Sequence, residues 1–271
     1  MKCNKWQLER DISDPTKHKV RQNCGFGCII CGQALIQYHH STTKYNEAQE
    51  HNPNEIVLLC GGCHDSVTRG WLNDEDVDEA AINPKCLQKG FSFRAFVTGR
   101  NNIEVIAGPL KAINTKTLIR VFGQPIFGVD NPEKENTPFR INAIFCDKEG
   151  KESLVIKDNE FQILTQNWDA EIVGSKIIIR RGSGDIVLRL RTEPRKSIVI
   201  EKLNMLYKGV QITCEENKQL TVKMSQRNFV ETGLANIQDC EVGFDITEER
   251  GITIGIDCKK QNYETLKISS H

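Results

Sequence analysis

Residues 28–64, CIICGQALIQYHHSTTKYNEAQEHNPNEIVLLCGGCH, decide how the first third of the chain folds. Two Cys-x-x-Cys pairs face each other across 28 residues, with a double histidine and a lone histidine between them. One more histidine directly follows the last cysteine. Four thiols and four imidazoles are more ligands than one tetrahedral ion binds, so the stretch predicts more than one site.

The cysteines of the two pairs predict a structural zinc site. A Cys-x-x-Cys turn directs both sulfurs at one ion, and four thiolates suit tetrahedral Zn²⁺ in a closed site. Cys24 competes through the less regular spacing C-G-F-G-C and is interpreted as a buried thiol. The other cysteines are interpreted as small core residues. The expected zinc ligands are Cys28, Cys31, Cys60 and Cys63.

A site filled by four thiolates leaves the histidines free for other chemistry. His39 and His40 follow the apolar run ALIQY, so we expect them at or near the end of a strand. His64 opens HDSVTRG, which predicts the start of a helix. The zinc would hold that strand and that helix together and so support a second, catalytic site.

The order of these motifs resembles the HNH endonuclease family, with its ββα-metal fold, over roughly residues 20–72. The resemblance implies that His39 and His64 bind a divalent cation and that His40 is the general base that activates water. It also implies an asparagine that holds the loop of the base, at the position that Glu55 occupies here. Asn54 lies one residue earlier and is the alternative. The expected catalytic residues are His39, His40, His64 and Glu55.

Hydrolysis of a phosphodiester suits these residue types independently of the resemblance. The reaction needs a water, a base that takes its proton and a cation that neutralises the developing charge. Imidazole, with an ordinary pKa of roughly 6.5, suits a base near neutral pH. Imidazole ligands lean away from Mg²⁺ alone, so Mg²⁺, Mn²⁺ or another first-row ion is expected beside the structural Zn²⁺. His51 is interpreted as a loop residue, with an extra ligand or a substrate contact as the alternatives.

Cations near the motif are the candidates for contact with nucleic acid. Lys17, Lys19 and Arg21 precede the first cysteine pair, and Arg69 follows His64 on the expected helix. A charge run is equally typical of a solvated face. Residues 1–90 contain 10 Lys and Arg against 12 Asp and Glu, so we do not expect this part alone to bind DNA tightly.

The pattern of apolar and polar residues changes after about residue 95. Short β-branched runs such as KIIIRR and DIVLRLR alternate with turn sequences such as RRGSGD. We therefore expect an α+β chain: an HNH-like domain at 1–90, ending in a short acidic helix and linker, then an all-β domain at 91–271. The β domain is expected to be a sandwich, a barrel or a short solenoid with a binding or assembly role. Its basic strands form either a partner surface or solvated faces: Arg180, Arg181, Arg189, Arg191, Arg195 and Lys196.

Composition excludes several classes of protein. Net charge is zero, and no long apolar run or N-terminal apolar segment predicts a membrane span or a secretory signal. Eleven cysteines without such a signal favour metal binding or free thiols over disulfides, and a cytoplasmic location.

We therefore expect a metal-dependent endonuclease that acts on DNA, in bacterial restriction or anti-phage defence by analogy with the family. A protein partner or a homo-oligomer would form through the β domain. The alternative is a catalytically impaired, zinc-stabilised module that binds nucleic acid or protein, and Glu55 favours this alternative.

Overall fold

The computed structural model describes residues 3–100, 102–216, 218–226, 228–263 and 266–269. It is a mixed α+β structure that consists mostly of strands and divides into two compact units. The first unit comprises Met1–Arg94 and Gln162–Ile172, and the second comprises Ala95–Phe161 and Val173–His271. The sequence predicted a single boundary at 90/91. The segment 162–172 belongs to the first unit because its side chains pair with the first helix there.

The first unit contains the helices that the structure describes. They are α1 (Asp14–Cys24), α2 (Gly61–Thr68), α3 (Asp74–Ile82) and α4 (Lys85–Lys89), and the strands are β1 (Ile36–His40), β2 (Ile56–Cys60) and β3 (Phe91–Ala95). The oxygen of Ser13 accepts a hydrogen bond from the Thr16 amide at the start of α1, and Gly25, at φ 69°, ends it in the left-handed region. None of the described helices is long and apolar enough to cross a membrane.

Strand β2 forms the centre of the first unit. It pairs antiparallel with β1, so that Tyr38 faces Leu58 and His39 faces Val57. Residues 56–59 are buried on both faces of the strand, which explains why IVLL is a continuous apolar run rather than an alternating one. Helix α1 and helix α3 pack against the same core.

In the described chain beyond β3 the regular elements are all strands. They are β4 (Glu104–Ala107), β5 (Leu110–Ile113), β6 (Thr117–Val121), β7 (Gln124–Asp130), β8 (Arg140–Cys146), β9 (Glu152–Lys157), β10 (Glu160–Leu164), β11 (Asp169–Val173), β12 (Lys176–Gly182), β13 (Asp185–Glu193), β14 (Ser197–Tyr207), β15 (Val210–Glu215), β16 (Leu220–Lys223), β17 (Phe229–Thr232), β18 (Ala235–Gln238), β19 (Val242–Thr247), β20 (Gly251–Ile256), β21 (Lys260–Tyr263) and β22 (Leu266–Ser269). In the second unit one sheet has the order β20-β19-β6-β7-β8-β9. The other has the order β21-β18-β5-β4-β14-β15-β16-β17-β22, with β13 and β12 added beside β14.

Strands far apart in the sequence stack in parallel in the second unit. Strand β5 pairs with β18 and β6 pairs with β19, in both cases at a separation of 125 residues. Side chains at the same separation form pairs of opposite charge. Lys116 bonds Glu241 at 2.8 Å, and Arg120 bonds the buried Asp245 at 2.8 Å. These pairs favour the observed register, since a slip would bring unmatched groups together.

Several of the strand arginines are committed to carboxylates within the second unit. Arg181 lies 2.5 Å from the buried Asp147, and Arg191 lies 2.8 Å from the buried Glu201. Lys176 pairs with the same Glu201 at 2.9 Å. Arg181 and Arg191 therefore do not support the interpretation of these strands as a basic partner surface, because the carboxylates beside them neutralise their charge.

The cysteines outside the two pairs differ from one another. Cys3 is exposed, and Cys240 forms a disulfide with Cys258, so the prediction of core thiols is wrong for these three. The physical reason for the disulfide is the β19–β20 hairpin, whose pairing of Val242 with Ile256 places positions 240 and 258 opposite each other. The prediction is confirmed for the buried free thiols Cys24, Cys86, Cys146 and Cys214.

Candidate functional site

Four cysteine sulfurs converge at one end of the β1–β2 hairpin. The Sγ atoms of Cys28, Cys31, Cys60 and Cys63 lie within 4.8 Å of one another, and those of Cys31 and Cys60 are 3.5 Å apart. A tetrahedral Zn²⁺ with bonds of about 2.3 Å holds its sulfurs roughly 3.8 Å apart. The predicted cysteines therefore form a cluster that could hold a metal ion such as zinc.

Local sequence shapes both cysteine turns. Gly32, at φ 87°, lets its amide donate to the Cys28 carbonyl at 2.9 Å and so closes the first turn. Cys60 ends β2 and caps α2, and its sulfur accepts a hydrogen bond from the Cys63 amide at 3.4 Å. Burial raises the pKa of Cys31 to about 12, whereas the Cys63 amide and neighbouring thiols outweigh burial and lower the pKa of Cys60. Ionisation of the Cys31 thiol is therefore favoured by a nearby cation, which a divalent ion would supply.

The opposite end of the hairpin carries the histidines. His39 and His40 are the last residues of β1, and His64 is the fourth residue of α2, which packs against both strands. The rings of His39 and His64 meet edge to face with their centroids 5.1 Å apart. Among the described residues, the buried Nε2 of His39 has no hydrogen-bond partner.

An unpartnered buried nitrogen is costly unless a ligand binds it. Burial, followed by the effect of His64, lowers the pKa of His39 to about 4, so its ring is neutral near pH 7. Two imidazoles at this spacing fit a first-row divalent cation. These two histidines could therefore hold a divalent ion separate from the cysteine cluster.

The histidines line an open cleft of about 450 Å³ in the first unit. Three cations share it: Arg10 lies 5.0 Å over the ring of Tyr45, Lys17 pairs with Asp11 at 2.9 Å, and Lys44 pairs with the exposed Asp74. The full lining is Arg10, Asp11, Ile12, Lys17, Tyr38, His39, His40, Lys44, Tyr45, Asn46 and His64. A concave site lined by both imidazoles and cations suits a phosphate-bearing ligand.

His40 faces the loop that joins β1 to β2. Its Nε2 lies 3.2 Å from Nδ1 of His51, and its ring lies 5.7 Å from that of Tyr45. Burial and then His51 lower the pKa of His40, while the Thr43 carbonyl and Glu55 act in the opposite direction. His51 lies in the loop between β1 and β2, as interpreted from the sequence, and contacts His40 there.

Glu55 holds the loop rather than lining the cleft. Its backbone carbonyl accepts from the Ser41 amide at 2.9 Å, directly after His40, and its carboxylate accepts from the Asn52 side chain at 2.8 Å. Asn54 is exposed, and its amide donates to the Asn52 side chain at 3.1 Å. Asn52 therefore organises the turn, and the loop before β2 is held although the expected asparagine is absent.

The predicted phosphate contacts separate into different environments. Lys17 lines the cleft, and Lys19 is exposed on α1. Arg69 is exposed, bonds Asp65 at 2.8 Å and is not among the described lining residues. Arg21 does not fit the prediction of a phosphate contact, because it is buried and its guanidinium is hydrogen-bonded to other side chains of the protein.

Arg21 joins α1 to the segment 162–172. Its Nε and Nη2 donate to the two carboxylate oxygens of Asp169 at 2.8 and 2.7 Å, and Nη1 donates to the Tyr38 hydroxyl at 3.0 Å. Burial alone would raise the pKa of Asp169, but Arg21 holds it below its ordinary value. This ion pair fixes Tyr38, which precedes the histidine pair on β1.

Asp169→Asn is expected to destabilise the first unit by about 3–5 kcal/mol, because it leaves the Arg21 guanidinium buried without its counter-charge. The measurement is urea unfolding followed by tryptophan fluorescence, since Trp6, Trp71 and Trp168 all belong to the first unit. The matched control is Asp65→Asn, which removes an exposed pair worth less than about 1 kcal/mol. The wild-type advantage should shrink as the pH falls through the depressed pKa of Asp169. Equal unfolding midpoints for the two variants would contradict this account.

The sequence did not indicate Arg10, Lys44 or Tyr45 as cleft residues. Lys44 and Tyr45 lie in the loop that follows the double histidine, and a loop closing an antiparallel pair must pass beside the strand end. Arg10 had no such signal, because its place depends on how the N-terminal segment docks. That docking relies on Asn4, whose side chain donates to the carbonyls of Tyr45 and Ala48 at 2.7 and 2.6 Å.

Comparisons of the whole chain with known proteins give no relative from which a role could be transferred. No protein-family model matches it, and no match was found among curated proteins or solved structures. What the site can do therefore has to be argued from its own residues.

Proposed function

We propose that this chain is a metal-dependent endonuclease of the HNH type that hydrolyses phosphodiester bonds in DNA. The observation that carries the proposal is the His39–His64 pair, with its buried unpartnered nitrogen, beside His40 in a cleft that cations also line. A role in bacterial restriction or anti-phage defence belongs to the proposal by analogy with the family.

The chemistry of each residue type suggests its role in the proposed reaction. His39 and His64 would hold the divalent ion, which supplies charge neutralisation at the phosphate oxygens. His40 takes the proton of the attacking water as the water oxygen bonds to phosphorus and the bond to the leaving sugar oxygen breaks. Lys44 and Arg10 line the same cleft and would bind the phosphate oxygens. The cysteine cluster holds the end of the hairpin from which both histidine-bearing elements extend.

The test is cleavage of supercoiled plasmid by the zinc-loaded chain with Mn²⁺, with Mg²⁺ and without an added divalent ion. We expect nicked product with Mn²⁺ at least as fast as with Mg²⁺, and none without either. A chelator is avoided because it would also remove the structural zinc. The absence of cleavage with every ion, in protein whose zinc content and fluorescence are normal, would favour the zinc-stabilised binding module. Single-stranded DNA and RNA in the same assay distinguish the substrate classes.

Lys44→Gln and Arg10→Gln are each expected to weaken binding to duplex DNA and to reduce the slope of log affinity against log salt by about 0.9, because each removes one phosphate contact. Fluorescence anisotropy without an added divalent ion measures binding apart from cleavage. Arg69→Gln is the comparison, since Arg69 lies outside the described cleft lining and is expected to leave the slope unchanged. A larger change at Arg69 than at Lys44 would place the DNA on another face.

A further inference from the structure

A second cavity lined by cations lies in the second unit, beside the turn between β13 and β14. It is open, has a volume of about 420 Å³ and is lined by Gly99, Arg100, Asn102, Glu104, Arg195 and Lys196. Glu104, the one carboxylate among these residues, lies 2.9 Å from Lys111, which offsets its charge. The cavity is therefore a concave surface with an excess of positive charge.

Two of the cations in this cavity lack a counter-charge. Arg100 and Arg195 are exposed, and in the described part of the chain neither has a carboxylate within ion-pair distance. Arg181 of the same unit, by contrast, pairs with the buried Asp147 at 2.5 Å. The charge of Arg100 and Arg195 is therefore available to an anion from outside the chain.

Arg195 occupies a backbone position that ordinarily holds glycine. In the turn at residues 193–196, the Lys196 amide donates to the Glu193 carbonyl at 3.0 Å, Pro194 is the second residue and Arg195 has φ 62°. A turn in which proline precedes a residue at positive φ usually has glycine or asparagine at that residue. Because arginine is uncommon in this region, its presence there is the kind of outlier that clusters at functional sites.

Gly99 allows the segment that carries Arg100 to approach this turn closely. A Cβ atom at position 99 would lie 2.5 Å from the Asn102 carbonyl oxygen and 3.0 Å from that of Arg195. The Arg195 amide also donates to the Val97 carbonyl at 3.1 Å. The backbone on both sides of the cavity is thus held in place within the chain, which lowers the cost of ordering it when a ligand binds.

We propose that this cavity binds phosphate groups, with Arg100 and Arg195 as the charged donors and Lys196 beside them. A guanidinium presents parallel N–H donors that match the oxygens of a phosphate, and it is charged at every physiological pH. The group could belong to a nucleic-acid backbone or to a free phosphate compound. Binding to a DNA backbone would give the second unit a part in holding the substrate, and that form of the inference rests on the proposed function.

Arg195→Gly and Arg100→Gln each remove one guanidinium. Glycine adopts a positive φ without strain, so we expect far-UV circular dichroism to show Arg195→Gly unfolding at the same urea concentration as the wild type or slightly above it. Lys208→Gly is the matched control, since Lys208 is an exposed cation at φ 47° in another hairpin of the same unit. It lies outside the described lining of the cavity.

Two probes distinguish the sources of the phosphate. Fluorescence anisotropy with duplex DNA, without an added divalent ion, measures binding to a backbone, and calorimetric titration with tripolyphosphate measures binding of a free compound. We expect Arg195→Gly and Arg100→Gln each to reduce the slope of log DNA affinity against log salt by about 0.9, and to weaken tripolyphosphate binding by about tenfold. Lys208→Gly should change neither measurement.

The pattern of losses decides between the outcomes. Weaker tripolyphosphate binding with an unchanged DNA slope would support the site and identify its ligand as a free phosphate compound. Unchanged binding of both probes in Arg195→Gly and Arg100→Gln, an equal loss in Lys208→Gly, or no binding of either probe by the wild type would overturn the inference. Because these measurements need no cleavage, a chain that binds both probes but cleaves nothing contradicts the proposed function alone.

Discussion

Cys60→Ser is expected to unfold the first unit and to abolish zinc binding. Structural zinc contributes about 10 kcal/mol or more to the folding of small domains, and this unit has one described four-cysteine cluster. Serine remains a good helix N-cap, so α2 keeps its cap and the loss reports on the metal. Tryptophan fluorescence follows the first unit, far-UV circular dichroism follows the strand-rich remainder, and the zinc is counted in the same samples.

The matched control for this experiment is Cys24→Ala. Cys24 is also buried and lies in the same core, but it stands outside the cluster. Its loss is expected to cost on the order of 1 kcal/mol through packing, with zinc retained. Full zinc content and unchanged unfolding in Cys60→Ser would show that the cluster is not a metal site.

His40→Ala is expected to lower kcat for plasmid cleavage by about 10²–10⁴-fold, because it removes the group that takes the proton from water. Binding of the second divalent ion should persist, since His39 and His64 remain. The fold should persist as well, because His40 is half-buried at the end of β1 and outside the core cluster. Cleavage at the wild-type rate would exclude His40 as the base, and loss of the metal together with activity would reassign it as a ligand.

The local part of the site could be predicted from the sequence. The cysteine spacing predicted the cluster, and the apolar run before the double histidine predicted that His39 and His40 lie at or near the end of a strand. Both features depend on neighbours in one hairpin and the helix that follows it. The spacing of two turns and the length of two strands are therefore enough to bring Cys28 near Cys63.

The rest of the site depends on contacts that have no local signature. Arg21 belongs to a basic run that is typical of a solvated face. It is nevertheless buried, and it pairs with Asp169, which lies 148 residues later in the sequence. Arg10 reaches the cleft only because Asn4 docks the N-terminal segment on the loop. In the second unit, alternation predicted strands, but the parallel pairing of β6 with β19 joins segments 125 residues apart and has no local signal.

The central claim is that His39 and His64 hold the ion on which phosphodiester cleavage depends. The measurement is a titration of the zinc-loaded chain with Mn²⁺, in which bound Mn²⁺ and the rate of plasmid cleavage are followed together in the wild type and in His39→Ala. The account predicts one Mn²⁺ per chain beyond the zinc, a rate that rises in proportion to its occupancy, and the loss of both in His39→Ala. Unchanged Mn²⁺ binding in His39→Ala, or no cleavage by the wild type at full occupancy, would contradict it.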